Sequence, residues 1–385
     1  TTTTPRPTTT TPRPTTTTPR PTTTTPRPTT TTPRPTTTTP RPTTTTPMPT
    51  TTTPRPTTTI YYYPPKCPTI NSHITIPNGT KNIPANRYKD CDTITGLTLN
   101  NDGVLTLIGS RAFQNNTNLV GTLVIPNSVD TIDNVAFFKC GLESIVFEPD
   151  SSLVTIGGNA LSRTKIRTIT IPKSVEIIGT NAFNGCTLLE SIVFEAGSKL
   201  KTIDNAAFKN LSSLTGKLTI PASVQTIGRQ AIENNDSLKS LKFESGSMLE
   251  TIVKNAFQSN AELETIEIPN SVINIGTRIL HTSNKINKIF LEGNNNLTEP
   301  NLNNLVETIN YIAENGDTTR NICIIGSGSR AKQVVDAVNK TNVVRCTSDG
   351  TIIRSTTTPM PTTTTPMPTT TTPRPTTTTP RPTTT

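Results

Sequence analysis

The feature that most limits what this chain can become is that it repeats itself. The stretch LESIVFEAGSKLKTIDNAAF, Leu189 to Phe208, has a near copy 47 residues upstream, LESIVFEPDSSLVTIGGNAL from Leu142 to Leu161. A second lies 49 residues downstream, LKSLKFESGSMLETIVKNAF from Leu238 to Phe257. Alignment on one aromatic or aliphatic landmark gives Tyr88, Phe113, Phe137, Leu161, Phe183, Phe208, Ile232, Phe257 and Ile279, spaced by 22 to 25 residues. Nine such units mark a stack of supersecondary elements, each too small to close a core alone. The units alternate between two forms, one ending its strand on Pro77, Pro126, Pro172, Pro221 or Pro269 and the other on Glu148, Glu195, Glu244 or Glu292. The repeating element is therefore a pair.

Each unit has a physical reading. Arg167 to Pro172 alternates apolar and small polar residues, the period-2 pattern of a strand with one buried face. A turn follows, then Ser174 to Gly179 adds inward apolar residues and a glycine corner, and Asn181-Ala182-Phe183 starts a short helical turn whose Phe plugs the interior. The expected fold is a repeat solenoid with a parallel β-sheet on one face and short helical or 3-10 turns on the other. Strands about 4.8 Å apart would make its body roughly 50 Å long.

The recurring Ile-Pro-x-Ser-Val stands at Ile125 to Val129, Ile171 to Val175 and Ile268 to Val272, with Ala-Phe following further on. In this the chain resembles the BspA-type leucine-rich repeat, over Ile74 to Phe290. Ala231-Ile232 and Arg278-Ile279 depart from its Ala-Phe signature. The resemblance implies a cell-surface or secreted protein whose repeats bind other proteins or surfaces in adhesion.

Both ends are a different polymer. Residues 1–59 and 356–385 repeat TTTTPRP and hold 24 of the 35 prolines. They cannot bury enough apolar surface to order themselves, so each is expected to be a disordered, polyproline II stalk. Thr/Pro composition also fits an O-glycosylated, mucin-like segment. Nine Arg of the tails account for nearly all of the +10 formal charge, since removing them from 36 basic residues leaves 27 against 26 acidic. The regularly spaced Arg could attract acidic partners, but widely spaced single charges without aromatics make only a weak nucleic-acid signal, and no nucleic acid is expected. No stretch approaches the roughly 20 apolar residues of a membrane span. The first residue is Thr, so a processed form or fragment is expected. The domain plan is a stalk at 1–59, a solenoid of about nine to ten units at 60–299, a small α/β cap at 300–355 and a stalk at 356–385. Within the cap, helices are expected at Asn301 to Glu314, from apolar Leu302, Leu305, Ile309 and Ile312, and at Lys332 to Asn339.

Six cysteines raise the question of disulfides or metal. Cys91, Cys140 and Cys186 each follow a landmark by three residues, where other units place Asn116, Thr164, Asn235, Asn260 and Thr282. These are expected to be inward, bonding to carbonyls of the next turn. The three sulfurs, two coils apart, are too distant to pair with each other and are expected as buried thiols. Cys67 is left odd, while Cys323 and Cys346 could meet on neighbouring strands of the cap and form a disulfide. The two histidines, His73 and His281, are far apart and lack Cys spacing, so no metal site is expected. Gly326, Gly328 and Ala331 spell a G-x-G-x-x-A turn, but too little chain remains for a dinucleotide fold, so no cofactor is expected.

Sequons stand at Asn78, Asn115, Asn210, Asn235, Asn296 and Asn339, of which Asn235 is expected to be inaccessible. Outward strand positions are Thr75, Thr98, Val124, Val146, Thr170, Val193, Thr219, Lys242, Glu267 and Phe290. The candidate binding face is Thr170, Val193, Thr219, Lys242, Glu267 and Phe290, with its charged and aromatic end expected to be the hot spot through an exposed Phe290. The expected function is non-enzymatic: an extracellular or cell-surface module for a protein or cell-surface ligand. The alternative is a structural surface-coat component that self-associates, with glycosylated tails as the working part.

Overall fold

A computed structural model describes residues 67–291, 299–316, 318–326, 329–338 and 340–353. Both Thr/Pro stretches lie outside the described residues. The chain alternates a longer strand with a two-residue one. In order these are β1 Ser72–Thr75, β2 Asn82–Ile83, β3 Ile94–Thr98, β4 Leu107–Ile108, β5 Thr122–Ile125, β6 Thr131–Ile132, β7 Ser144–Phe147 and β8 Thr155–Ile156. They continue as β9 Thr168–Ile171, β10 Ile177–Ile178, β11 Ser191–Phe194, β12 Thr202–Ile203, β13 Gly216–Ile220 and β14 Thr226–Ile227. The last coils hold β15 Leu238–Phe243, β16 Thr251–Ile252, β17 Thr265–Ile268, β18 Asn274–Ile275 and β19 Lys288–Leu291. The cap follows as α1 Glu299–Asn315, β20 Ile322–Ile325, α2 Ser329–Val338 and β21 Val343–Cys346. The fold is a parallel β-solenoid.

The interior repeats coil by coil. Leu123 and Ile125 of β5, Ile132 of β6 and the landmark Phe137 are all buried, and the other coils supply their equivalents, of which Phe147 and Phe194 are half-buried. Landmark rings stack at the coil spacing, Tyr88 on Phe113 and Phe113 on Phe137 at 5.2 Å, and Phe183 on Phe208 at 5.4 Å.

The two strand ladders differ, and proline explains why. The short strands join into one unbroken nine-stranded sheet, whereas the longer ones form three two-stranded sheets, β1–β3, β5–β7 and β9–β11, and one of six strands. At the end of each glutamate-type strand the backbone N–H donates to the coil before: Glu148 to Ile125 O at 3.0 Å, Glu195 to Ile171 O at 3.1 Å, Glu244 to Ile220 O at 2.9 Å. Pro126, Pro172 and Pro221 hold that position in the alternate coils and have no N–H to give. The long sheet breaks before each of them. The β17 strand, which ends at Pro269, does pair with β15, but only over Ser240–Thr265 and Leu241–Ile266. The carboxylates bind the pair from the other side. Glu148, Glu195 and Glu244 accept the N–H of Asn127, Lys173 and Ala222, each the residue after a proline, at 3.1, 2.9 and 3.0 Å. In the first pair Asp102 takes the Gly79 N–H.

On the third side the Ala-Phe turns form a further axial ladder. Arg111, Phe113 and Asn115 donate their N–H groups to Asn134, Ala136 and Phe138 of the next coil at 2.9, 2.8 and 2.8 Å. The residues two before and two after each landmark lie in the left-handed region, as Arg111 (φ 57) and Asn115 (φ 63) do, which turns alternate N–H groups along the axis while the chain bends. The same register corrects the last landmark. Phe257 N donates to Ile279 O, so Ile279 holds the Ala position, and the left-handed pair Arg278 and Thr282 flanks Leu280. The reading from spacing was one residue early because Arg278-Ile279-Leu280 offers two adjacent aliphatics.

The C-terminal end is closed by the cap. The side-chain Oδ1 of Asn301 accepts Ile275 N–H at 3.0 Å and Asn304 Nδ2 donates to Ile275 O at 2.7 Å, so α1 completes the last edge of the short-strand sheet. Leu302, Leu305, Ile309 and Ile312 of α1 are buried in the core. The β20 and β21 strands extend the long sheet beyond β19, in parallel.

Val135 occupies a left-handed site (φ 64) although it is β-branched, the residue class least suited to it. Val135→Asn is expected to stabilise the fold by about 1 kcal/mol, by removal of that strain. A urea midpoint no higher than that of the parent would refute this account of the turn ladder.

Candidate functional site

The outward residues of the long strands stand on rungs set by the pairing. Thr75 faces Thr98, Val124 faces Val146, Thr170 faces Val193, Thr219 faces Lys242 and Glu267 faces Phe290. Val124, Val146 and Val193 are 46%, 46% and 52% exposed, and Thr75, Thr98, Thr170 and Lys242 are exposed as well. From Thr75 to Val193 this column carries no charge. β-Branched residues at these positions suit a half-buried strand and leave methyl and hydroxyl groups facing outward.

The C-terminal end of this column differs from the expectation. Phe290 is half-buried and packs, with Val344, against Cys323, Ile325 and Cys346. Cys323 and Cys346 are joined in a disulfide with their Cα atoms 5.4 Å apart. After β21 the chain turns back: Thr347 N–H donates to Thr351 O, Cys346 bridges Ile352 antiparallel, and Ile353 N–H donates to Arg345 O at 2.8 Å. Within this turn the Asp349 carboxyl is held down to about 2, chiefly by the Thr347 hydroxyl and the Thr351 N–H. Phe290 is thus a packing residue of the cap and not an exposed anchor, because β20 extends the sheet past β19 and covers its flank.

Sequence reasoning missed the more regular surface. Asn82, Leu107, Thr131, Thr155, Ile177, Thr202, Thr226, Thr251 and Asn274 form one unbroken in-register column across the nine short strands. The signal was the Thr-Ile pair recurring before each corner, which reads as mere filler in a two-residue strand.

Four of the residues three after a landmark donate back to the previous coil, opposite to the expectation, while Leu211 has no donor, Thr164 Oγ1 bonds Leu161 O of its own coil, and Nδ2 of Asn116 and Asn235 has no partner. Cys140 Sγ donates to Phe113 O at 2.9 Å, Cys186 Sγ to Leu161 O at 3.1 Å, Asn260 Nδ2 to Ile232 O at 2.8 Å and Ser283 Oγ to Phe257 O at 3.2 Å. Each reaches the previous coil, not the next. In the last unit the member is buried Ser283, three after Leu280, while Thr282 is exposed. Cys91 also departs from the expectation: it is not a free thiol but is bonded to Cys67. Its coil is the first among the described residues, where no earlier landmark carbonyl stands to accept its proton, and Cys67, which precedes β1, reaches its sulfur.

Of the sequons, Asn78 is exposed at the turn after Pro77. Asn115 donates Nδ2 to Asp90 at 2.7 Å, and Asn210 donates Nδ2 to Asn184 at 2.9 Å while accepting Asn234 at 2.8 Å. Asn235 is wholly buried, its Oδ1 accepting Leu211 N–H. Asn296 and Asn339 lie outside the described residues. His73 bonds Thr98 Oγ1 at 2.7 Å, and His281 stacks on Tyr311 at 4.0 Å. Gly326 follows β20, and Ser327 and Gly328 lie outside the described residues. Among the described residues no group of three or more His, Cys, Asp or Glu could hold a metal ion, and no helix is long and apolar enough to cross a membrane.

Set beside known proteins, the chain matches the family model of the BspA type leucine rich repeat region in six copies, over residues 58–190, 106–216 and 201–312. Among solved structures it is similar to the pneumococcal vaccine antigen PcpA at 20% identity, over 65% of this chain and 85% of that one, with a TM-score of 0.33. A leucine-rich repeat protein from Bacteroides ovatus is 20% identical over 59% of this chain and 82% of its own, with a TM-score of 0.36. One from Eubacterium ventriosum is 20% identical over 71% and 78%, with a TM-score of 0.35. No curated protein matches the chain.

Burial pushes both free thiols up, Cys186 to about 11 and Cys140 further. A folded-state pKa above the unfolded one gives stability that is full below the ordinary thiol value of 9.0 and is lost as pH rises through the folded value. The melting temperature is therefore expected to fall between pH 9 and 11 in the parent, and less so in a Cys140→Ala, Cys186→Ala double variant measured against its own pH 8 value. At pH 8 a thiol reagent should label no cysteine of the folded chain and two after unfolding. Labelling of the folded chain would refute the burial of these sulfurs.

Proposed function

The chain belongs to the BspA-type leucine-rich repeat family, and from that premise we propose that it is an extracellular or cell-surface binding module. It recognises a protein or cell-surface ligand through the outward face of its long strands and carries out no chemistry. The observation that carries this reading is the uncharged column from Thr75 to Val193, where exposed valines and threonines face solvent on rungs. An array of this kind offers methyl groups for apolar contact and hydroxyls for hydrogen bonds, without charges to desolvate. Two disulfides, Cys67–Cys91 and Cys323–Cys346, suit an oxidising compartment and support the extracellular location. The Thr/Pro tails serve as spacers, and their glycosylation is part of the proposal. Asn78, the one exposed sequon among the described residues, is the proposed N-glycan acceptor.

The test uses the full chain on intact cells and on extracellular matrix proteins, beside a Val124→Asp, Val146→Asp, Val193→Asp variant. All three residues are exposed, so the fold should persist. Saturable binding by the parent, weakened on the order of a hundredfold in the variant (about 2.7 kcal/mol, in the range of interface hot spots), is the expected result. Binding equal in both, or by neither, would overturn the strand-face reading. Ordered self-assembly without any ligand would favour a surface coat instead.

A further inference from the structure

Among the described residues of the cap, the Arg345 cation has no acidic partner. Arg345 lies on β21, in register with Ile324 of β20, and on its other side accepts the N–H of Ile353 at its backbone carbonyl. Its buried Nε has no hydrogen-bond partner, and no acidic side chain pairs with it among the described residues. Nearby Asp336 is already bonded to Lys332 at 2.5 Å. Arg345 lines two cavities. One, of about 310 Å³, is walled by Val335, Val343, Val344, Ile352 and Ile353 beside the Lys332–Asp336 pair. The other, of about 370 Å³, is formed by Ile325, Gly326, Cys346, Thr347, Ser348 and Ile353.

An uncompensated, partly desolvated guanidinium beside apolar walls calls for an anion. Residues 354–385 offer no side-chain anion, since they contain no Asp or Glu and add Arg354, Arg374 and Arg381; Glu292 and Asp317 lie outside the described residues. Among the described residues lining the two cavities Arg345 is the one cation without an ion pair, so a monoanion is matched better than a phosphate dianion. Each cavity is of the size that holds small molecules, roughly 300 to 1,000 Å³. We propose that this end of the cap binds an amphipathic carboxylate, its acid group forked on Arg345 and its apolar chain laid along Val335, Val343, Val344, Ile352 and Ile353. The site does not depend on the strand-face reading and stands or falls separately.

Calorimetric titration of the full chain with decanoate, decanol and acetate tests it. Decanoate should bind saturably at one equivalent. Decanol, with the same chain and no charge, and acetate, with the charge and no chain, should each bind at least tenfold more weakly. Arg345→Gln should lower decanoate to the level of decanol, and Ile353→Ser should weaken decanoate while leaving acetate unchanged. Melting curves matching the parent certify that each variant is folded, and Arg345→Lys, which keeps the charge but not the fork, should retain intermediate affinity. Equal decanoate binding by parent and Arg345→Gln, or no saturable decanoate binding by the parent, would overturn the proposal.

Discussion

The structure depends on hydrogen bonds directed along the solenoid axis. A coil of about 24 residues advances by a single strand spacing, so donors on all three of its sides must find acceptors in an adjacent coil. Strands achieve this by their geometry, but a chain that also turns three corners cannot. The left-handed residues flanking each landmark solve the problem on the turn side by rotating alternate N–H groups onto the axis. That requirement explains why Asn recurs at these sites, at Asn115, Asn159, Asn181, Asn210, Asn234 and Asn255. The inner ladder serves the one landmark carbonyl that points inward, and any small donor of the right reach will do, whether thiol, hydroxyl or amide.

Most of this architecture was legible in the sequence because repetition multiplies a weak signal. One Ile-Pro-x-Ser-Val means little, whereas a landmark recurring nine times at 22 to 25 residues fixes strand, corner and plug. The alternation of Pro77, Pro126, Pro172 and Pro221 with Glu148, Glu195 and Glu244 was visible as a pattern, but its cause was not. A carboxylate that bonds the N–H after a proline 22 residues away, as Glu195 does with Lys173, can be recognised only once coils are stacked. Legibility failed where the repeat ends. Leu280 was misplaced because adjacent aliphatics blur the register, and Cys91 was misread because its neighbours in the pattern, Cys140 and Cys186, are interior. Position in the stack, not position in the repeat, decides the fate of that sulfur.

The ends therefore carry chemistry that the body does not need. An interior coil is completed by its neighbours, so its backbone polar groups find partners in more of the same sequence. A terminal coil meets something unlike itself, and each end of this solenoid holds a disulfide, while the two interior cysteines stay reduced. At the C-terminal side α1 imitates a further coil with Asn301 and Asn304, and the turn after β21 folds over the edge of the sheet. Once Phe290 is enlisted in that closure it is lost as a contact residue, which moves the candidate surface toward the neutral middle of the stack.

A neutral middle also settles how recognition would have to work. With 27 basic and 26 acidic residues outside the tails, the body offers no strong net field to steer a partner. Each exposed valine on the long strands presents only part of its side chain, so no single rung can serve as an anchor of the aromatic or arginine kind. Affinity would have to accumulate over several rungs held at fixed spacing, which a rigid solenoid provides without further ordering cost at each contact. The long-range charge resides instead in the nine arginines of the tails, spaced at regular intervals along Thr/Pro sequence. Under the proposed binding role, attraction would fall to the tails and recognition to the body, and salt should act on the first far more than on the second.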